Sequence, residues 1–203
     1  MAKLIVIDGL DASGKTTQAY RLASFLKSQG ESVCLRIHPS EDNPVGSQAK
    51  RFLQARGKNA HFASAFFYML DVIHSILLYS WRGEDHIIFV RYLLGTAYLP
   101  SPMDKIAYHF FATIVPKPEK TFFIDIKPEV AYNRIVRRTQ DTLEMFEKPE
   151  ALAKIRNKGL AMASLGKWPI IDGARNPTEI EYNVRSILRP ERDSLGSFNN
   201  CVS

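Results

Sequence analysis

The sequence predicts an α/β fold of three layers: a five-stranded parallel sheet with helices on both faces. Three observations carry this prediction. Five short apolar runs recur along the chain, longer helical segments separate them, and a glycine-rich loop joins the first run to the first helix. The length of 203 residues suits one such domain.

The first run, Leu4 to Ile7, is β-branched and reads as a buried strand. Val33–Ile37, Ile87–Val90, Thr121–Ile124 and Pro169–Ile171 read the same way. None alternates strictly, as expected of parallel strands covered on both faces. The first helix, Thr16 to Gln29, carries Leu22, Phe25 and Leu26 on one face and stops at Gly30. Ala60 to Trp81 reads as a long helix with a wide apolar face and a stop at Gly83. Pro128–Arg138, Pro149–Leu165 and Pro177–Leu188 each start on a proline, a residue favoured in the first turn. Residues 1–188 form the expected single domain, and the polar stretch 189–203 is expected to be a disordered tail.

Composition narrows the function classes. Hydrophobic residues at 45% and charged residues at 24% exclude a mostly disordered chain. The two cysteines, Cys34 and Cys201, exclude a disulfide scaffold and read as free thiols in a reducing compartment. No apolar run reaches the length of a signal peptide or a membrane span, so a cytoplasmic protein with no membrane partner is expected. The net charge of +6 calls for an anionic partner. No zinc spacing, basic heptad region or RNP-like motif accompanies it, so nucleic acid is not the expected one.

The glycine-rich loop names the anion. Gly9, Leu10, Asp11, Ala12, Ser13, Gly14, Lys15 and Thr16 spell G-x-x-x-x-G-K-[ST], the phosphate-binding P-loop. Glycines let backbone N–H groups turn inward around phosphate oxygens, and the next helix offers its positive end. Lys15 reaches the β- and γ-phosphates, and the Thr16 hydroxyl joins Mg²⁺.

With this loop in place, the whole chain resembles the thymidylate kinase family of nucleoside monophosphate kinases. Leu4 to Gln18 is close to that family's opening. Val90-Arg91-Tyr92 lies where the family has Asp-Arg-Tyr. Ile124 to Ala131 with Arg134 to Arg138 resembles its fourth strand and the start of its lid, and Trp168 to Arg175 its last strand and adenine loop. The likeness covers about residues 3–188. It implies a P-loop kinase fold, with ATP and Mg²⁺ as cofactors and transfer of the γ-phosphoryl of ATP to a nucleoside monophosphate, dTMP above others. It implies ATP binding by Gly9, Asp11, Ala12, Ser13, Gly14, Lys15, Thr16, Thr17 and Arg175, and a metal contact at Thr16. Lys15, Arg91, Arg134, Arg137 and Arg138 would be catalytic, with a lid near 134–148. Asp11, Phe66, Leu70, Arg91, Tyr92 and Tyr98 would hold the acceptor. The family also implies a homodimer formed through long helices such as Ala60–Trp81.

Each assignment has a plainer counterpart. The arginine cluster also suits a solvated helix face, Arg91 a pair with a nearby carboxylate, Asp11 a turn aspartate, and Tyr98 a core tyrosine. Three departures fall at the acceptor site. Val90 replaces the family's aspartate and cannot bind a hard cation, leaving Asp8, acting through water, as the candidate to substitute in part. Leu70 stands where an arginine reads the base, with no arginine between Arg56 and Arg82. The stretch His38-Pro39-Ser40-Glu41-Asp42 also lacks one. The alternatives are therefore a P-loop kinase for another acceptor, or a nucleotide-binding protein with weak catalysis.

Overall fold

A computed structural model describes residues 2–54, 58–99, 101–138 and 148–189. Part of the expected lid and nearly all of the expected tail lie outside these residues. Among the described residues, five strands form one sheet: β1 (Lys3–Gly9), β2 (Val33–Ile37), β3 (His86–Val90), β4 (Lys120–Asp125) and β5 (Ile170–Asp172). Their order is β2-β3-β1-β4-β5, and all pairs are parallel. The chain leaves β1 to one side for β2 and β3, then crosses to the other for β4. This makes the C-terminal end of β1 the switch point, where open α/β sheets bind ligands.

The helices are α1 (Lys15–Ser28), α2 (Pro44–Gln54), α3 (Lys58–Tyr79), α4 (Met103–Ile114), α5 (Pro128–Arg138), α6 (Pro149–Gly166) and α7 (Pro177–Leu188). A 3₁₀ turn, Leu93–Tyr98, follows β3. Ile5, Ile7, Ile88 and Ile124 pack on one sheet face with Leu22 and Leu26 of α1 and Ile180 of α7. Val6, Ile87 and Phe89 pack on the other with Tyr68, Val72 and Phe111 of α3 and α4. Phe123 joins α5 and α6 through Ile135, Leu152 and Ile155. Each fully buried large aliphatic or aromatic side chain contributes about 1.5–3 kcal/mol. This double coverage is why the strands do not alternate in polarity.

Two helices and the 3₁₀ turn were not anticipated. Helix α2 starts at Pro44, with the Asn43 side chain accepting from the Gly46 N–H at 2.8 Å. Helix α4 follows Pro102. The segment Phe62–Tyr79 of α3 also departs from expectation. Its mean hydropathy of 1.5 and its length would allow a membrane crossing, because an average tolerates the scattered polar residues that break up a run. Of these, Ser64, Asp71 and Ser75 are buried and bonded to the protein and His74 is half-buried, while about a third of the segment as a whole is buried.

Candidate active site

The phosphate loop leaves β1 through Gly9 at φ 146°, where an added Cβ would stand 2.3 Å from the Ile124 carbonyl oxygen. Only glycine fits there. Ala12 at φ 57° and Gly14 at φ 96° complete the left-handed bends that turn the backbone towards a ligand. Helix α1 begins at Lys15 with no acidic residue in its first turn, so its positive end is open to an anion. The Lys15 ammonium folds back onto the Leu10 carbonyl and lies 3.8 Å from Asp11. Burial and then the Arg91 charge push its pKa down to about 8, with Asp11 and Asp8 opposing. Thr16 and Thr17 are exposed.

Arg91 follows β3 directly, in a left-handed conformation, φ 64°. Its guanidinium pairs with Asp11 and donates to the His38 carbonyl at 3.2 Å. Asp11 also accepts from the Tyr98 hydroxyl at 3.0 Å. Burial disfavours the Asp11 charge, yet Arg91 and Lys15 hold its carboxyl well below the ordinary value. Arg91 and Tyr98 thus have protein partners and also face the ligand cavity.

That cavity has a volume of about 280 Å³. Asp11, Thr16, Arg91 and Arg138 line its cationic part, and Pro39, Glu41, Lys50, Leu53, Ser64, Ala65, Tyr68 and Gly95 are among its other walls. Three expected acceptor residues are not among them. Phe66 is 55% exposed and Leu70 36%, both outside the cavity. Helix phase is the reason: successive residues turn by about 100°, so positions two apart face opposite ways. Tyr68 is the inward aromatic; its hydroxyl donates to the Tyr92 carbonyl at 3.0 Å and its ring lies against Gly95. Tyr92 itself packs beside Phe89 and Phe111, with its hydroxyl donating to the Pro116 carbonyl at 2.9 Å. Sequence reasoning missed Lys50, Ser64, Tyr68 and Gly95.

The arginines of α5 divide. Arg134 donates to the carbonyls of Ala12 and Gly173, each at 3.2 Å, tying the phosphate loop to the loop after β5. Arg138 lines the cavity. Arg137 is exposed and is not a lining residue, although all three share a broad helical face. Arg175 is exposed, 3.7 Å from Asp172 in the loop that Arg134 reaches. Arg36, within β2, is not among the cavity walls: its guanidinium pairs with Asp42 and covers the Tyr79 ring at 4.5 Å.

Val90 is fully buried in the apolar cluster facing α1, paired with Ile7 and Ile37. Asp8, the carboxylate left nearby, is bonded to the backbone after β3. Its Oδ2 accepts from the N–H groups of Tyr92 and Leu94, at 3.1 and 3.2 Å, and shapes the turn after β3. Its Oδ1 is buried without a partner, and burial raises its pKa. Among the described residues, no group of three or more His, Cys, Asp or Glu could hold a metal. The exposed Thr16 hydroxyl fits a Mg²⁺ that keeps most of its waters and arrives on nucleotide phosphates.

This geometry has relatives. The family model described as thymidylate kinase matches residues 7–184. A probable thymidylate kinase of Metallosphaera sedula is 31% identical over 171 residues, spanning 84% of each chain. A probable thymidylate kinase 1 of Saccharolobus solfataricus is 28% identical over 193 residues, spanning 93% of this chain and 98% of that one. A solved structure of thymidylate kinase from Candida albicans aligns with a TM-score of 0.73 at 20% identity, over 93% of this chain and 92% of that one, a likeness of fold. With a family model spanning most of its length, this chain belongs to the thymidylate kinase family.

Proposed function

We propose that this chain transfers the γ-phosphoryl group of ATP to dTMP, giving ADP and dTDP. The observation that carries this reading is the continuous Lys15–Asp11–Arg91 cluster, which joins the phosphate loop to the cavity. An oxygen of the acceptor phosphate attacks the γ-phosphorus, and the bond from that phosphorus to the β,γ-bridging oxygen breaks. Such transfer asks the protein mainly for alignment and charge stabilisation. The loop N–H groups and Lys15 hold the donor phosphates. Arg91 turns from Asp11 to the acceptor phosphate, for which its planar fork is suited. Arg134 keeps the nucleotide loops together, and Arg138 adds positive charge beside the transferred group. Thr16 would hold the Mg²⁺, which neutralises donor phosphate charge when bound.

The test is ADP release with ATP and Mg²⁺ across natural monophosphates and nucleosides. Turnover with dTMP that is lost in Lys15→Ala is expected; no release with any monophosphate would refute the reading. One observation favours a different acceptor: the described cavity lining offers Lys50 and Ser64, and no arginine, on the α2–α3 side. A nucleoside preferred over every monophosphate in the same screen would establish that alternative.

The reading extends to a cytoplasmic homodimer. Phe62, Phe66, Leu70 and Leu77 expose an apolar stripe on α3, and Ile106, Phe110 and Ile114 another on α4. A second copy would cover surface of this kind. A dimer in sedimentation that Ile106→Glu with Phe110→Glu converts to monomer is expected; a monomeric parent would refute it.

A further inference from the structure

Asp71 is fully buried on α3 but does not line the cavity. Its neighbours on the inward face of the helix are Tyr68 and Val72, so an aliphatic residue would pack there with no charge to bury. Instead its carboxylate collects donors from one place, the segment after β2. Oδ2 accepts from the Ser40 N–H at 2.7 Å. Oδ1 accepts from the Ser40 hydroxyl and from the Asn43 amide, the latter at 2.8 Å.

The same segment reaches the site in two ways. Pro39 and Glu41, on either side of Ser40, line the cavity. The His38 carbonyl accepts from Arg91 at 3.2 Å. The segment is packed closely from behind as well. A Cβ added at Gly46 would stand 2.1 Å from the Ser40 carbonyl oxygen, and His38 Nε2 lies 3.0 Å from the Ser75 hydroxyl. Asp71 therefore sits at the centre of a buried network whose far side faces the acceptor.

We propose that Asp71 is a positioning residue for the acceptor site: it fixes residues 38–43 on α3 and, through the His38 carbonyl, sets the resting aim of Arg91. This rests on the kinase reading above. It adds that acceptor binding is controlled by a carboxylate that never touches the acceptor. Donor nucleotide binding, built on the phosphate loop and Arg134, does not depend on it.

Asp71→Asn tests this, because its amide nitrogen replaces an oxygen that accepts and leaves the donors of Ser40 and Asn43 in competition. The expected result is a rise of about tenfold in KM for dTMP, equal to about 1.4 kcal/mol, with KM for ATP within twofold of the parent. The swapped pair, Asp71→Asn with Asn43→Asp, restores one donor facing one acceptor and is expected to recover most of that rise. Equal changes in both KM values, or a loss of thermal stability with no change in KM for dTMP, would overturn the proposal. If Asp71→Asn does not fold, Ser40→Ala and Asn43→Ala are read against the same split. Amide hydrogen exchange separates this proposal from the kinase reading. Faster exchange across residues 38–46 with an unchanged phosphate loop is expected whatever the acceptor, and unchanged exchange there refutes the positioning role.

Discussion

Gly95→Ala puts a single methyl group where the structure has no space. The added Cβ would stand 2.0 Å from Cε1 of Tyr68, 2.5 Å from Cδ1 and 2.6 Å from Cζ. Ordinary contact begins near 3.4 Å, so the ring edge must retreat by about 1.4 Å. Gly95 does not need a left-handed backbone, so the effect comes from crowding. Overpacking of this kind costs about 1–3 kcal/mol. The shift also strains the hydrogen bond from the Tyr68 hydroxyl to the Tyr92 carbonyl, at about 1 kcal/mol more. For a chain of this length the sum lowers Tm by roughly 5–15 °C. Tyr68 is itself a cavity wall, so its displacement also reshapes the acceptor site. KM for dTMP should rise by about tenfold, while KM for ATP stays put. Steady-state kinetics with each substrate varied in turn, beside thermal unfolding, measures both effects. Tyr68→Phe, which removes only the hydroxyl, separates the lost bond from the crowding. Unchanged Tm and unchanged KM for dTMP in Gly95→Ala would refute the packing argument.

Lys15, with its pKa near 8 in the free chain, should take up a proton when nucleotide phosphates stabilise its ammonium. ATP affinity should then fall by up to about tenfold per pH unit above 8, and calorimetry in buffers of different ionisation enthalpy should detect the proton. Lys15→Arg should abolish this dependence; an unchanged dependence in that variant counts against it. Burial lowers the pKa of His38 to about 4, against the attraction of Asp71. Between pH 6.5 and 4 the unfolded chain binds this proton and the native chain does not, so its contribution is intact above 6.5 and lost as pH falls towards 4. At most about 3 kcal/mol is involved. Urea midpoints from pH 7 to 4.5 should fall less steeply in His38→Gln, and parallel curves would remove the assignment. Phe66→Ala should leave KM for dTMP within about twofold, since the ring lies outside the cavity, whereas a tenfold rise would return it to the site.

The sheet was legible because buried parallel strands are short apolar runs, and each expected strand lies within about two residues of an observed one. Helices α2 and α4 left weaker traces. Pro44 after Asn43 marks the start of α2, and Met103, Ile106, Phe110 and Ile114 recur with helical spacing in α4. The phosphate loop was fully legible, since its function lies in backbone shape that glycine spacing dictates. The acceptor site was less so, because consecutive aromatics at Phe66, Phe67 and Tyr68 leave helix phase undecided. The signal that could have settled it is the polar set Ser64, Asp71 and Ser75. These lie on the Tyr68 face of a largely apolar helix, where each needs an internal partner. The division among Arg134, Arg137 and Arg138 depends on which carbonyls and walls stand opposite. That is tertiary information with no local trace.

The backbone of Arg91 has an evolutionary consequence. A left-handed conformation at a residue with a side chain costs about 1–2 kcal/mol. Glycine at this position would relieve that cost but break the largely buried pair with Asp11, a loss of up to about 3–5 kcal/mol. The ion pair outweighs the strain, so selection for stability and selection for turnover hold the same residue at position 91. A screen for heat-resistant variants alone would retain arginine here, and the guanidinium with it.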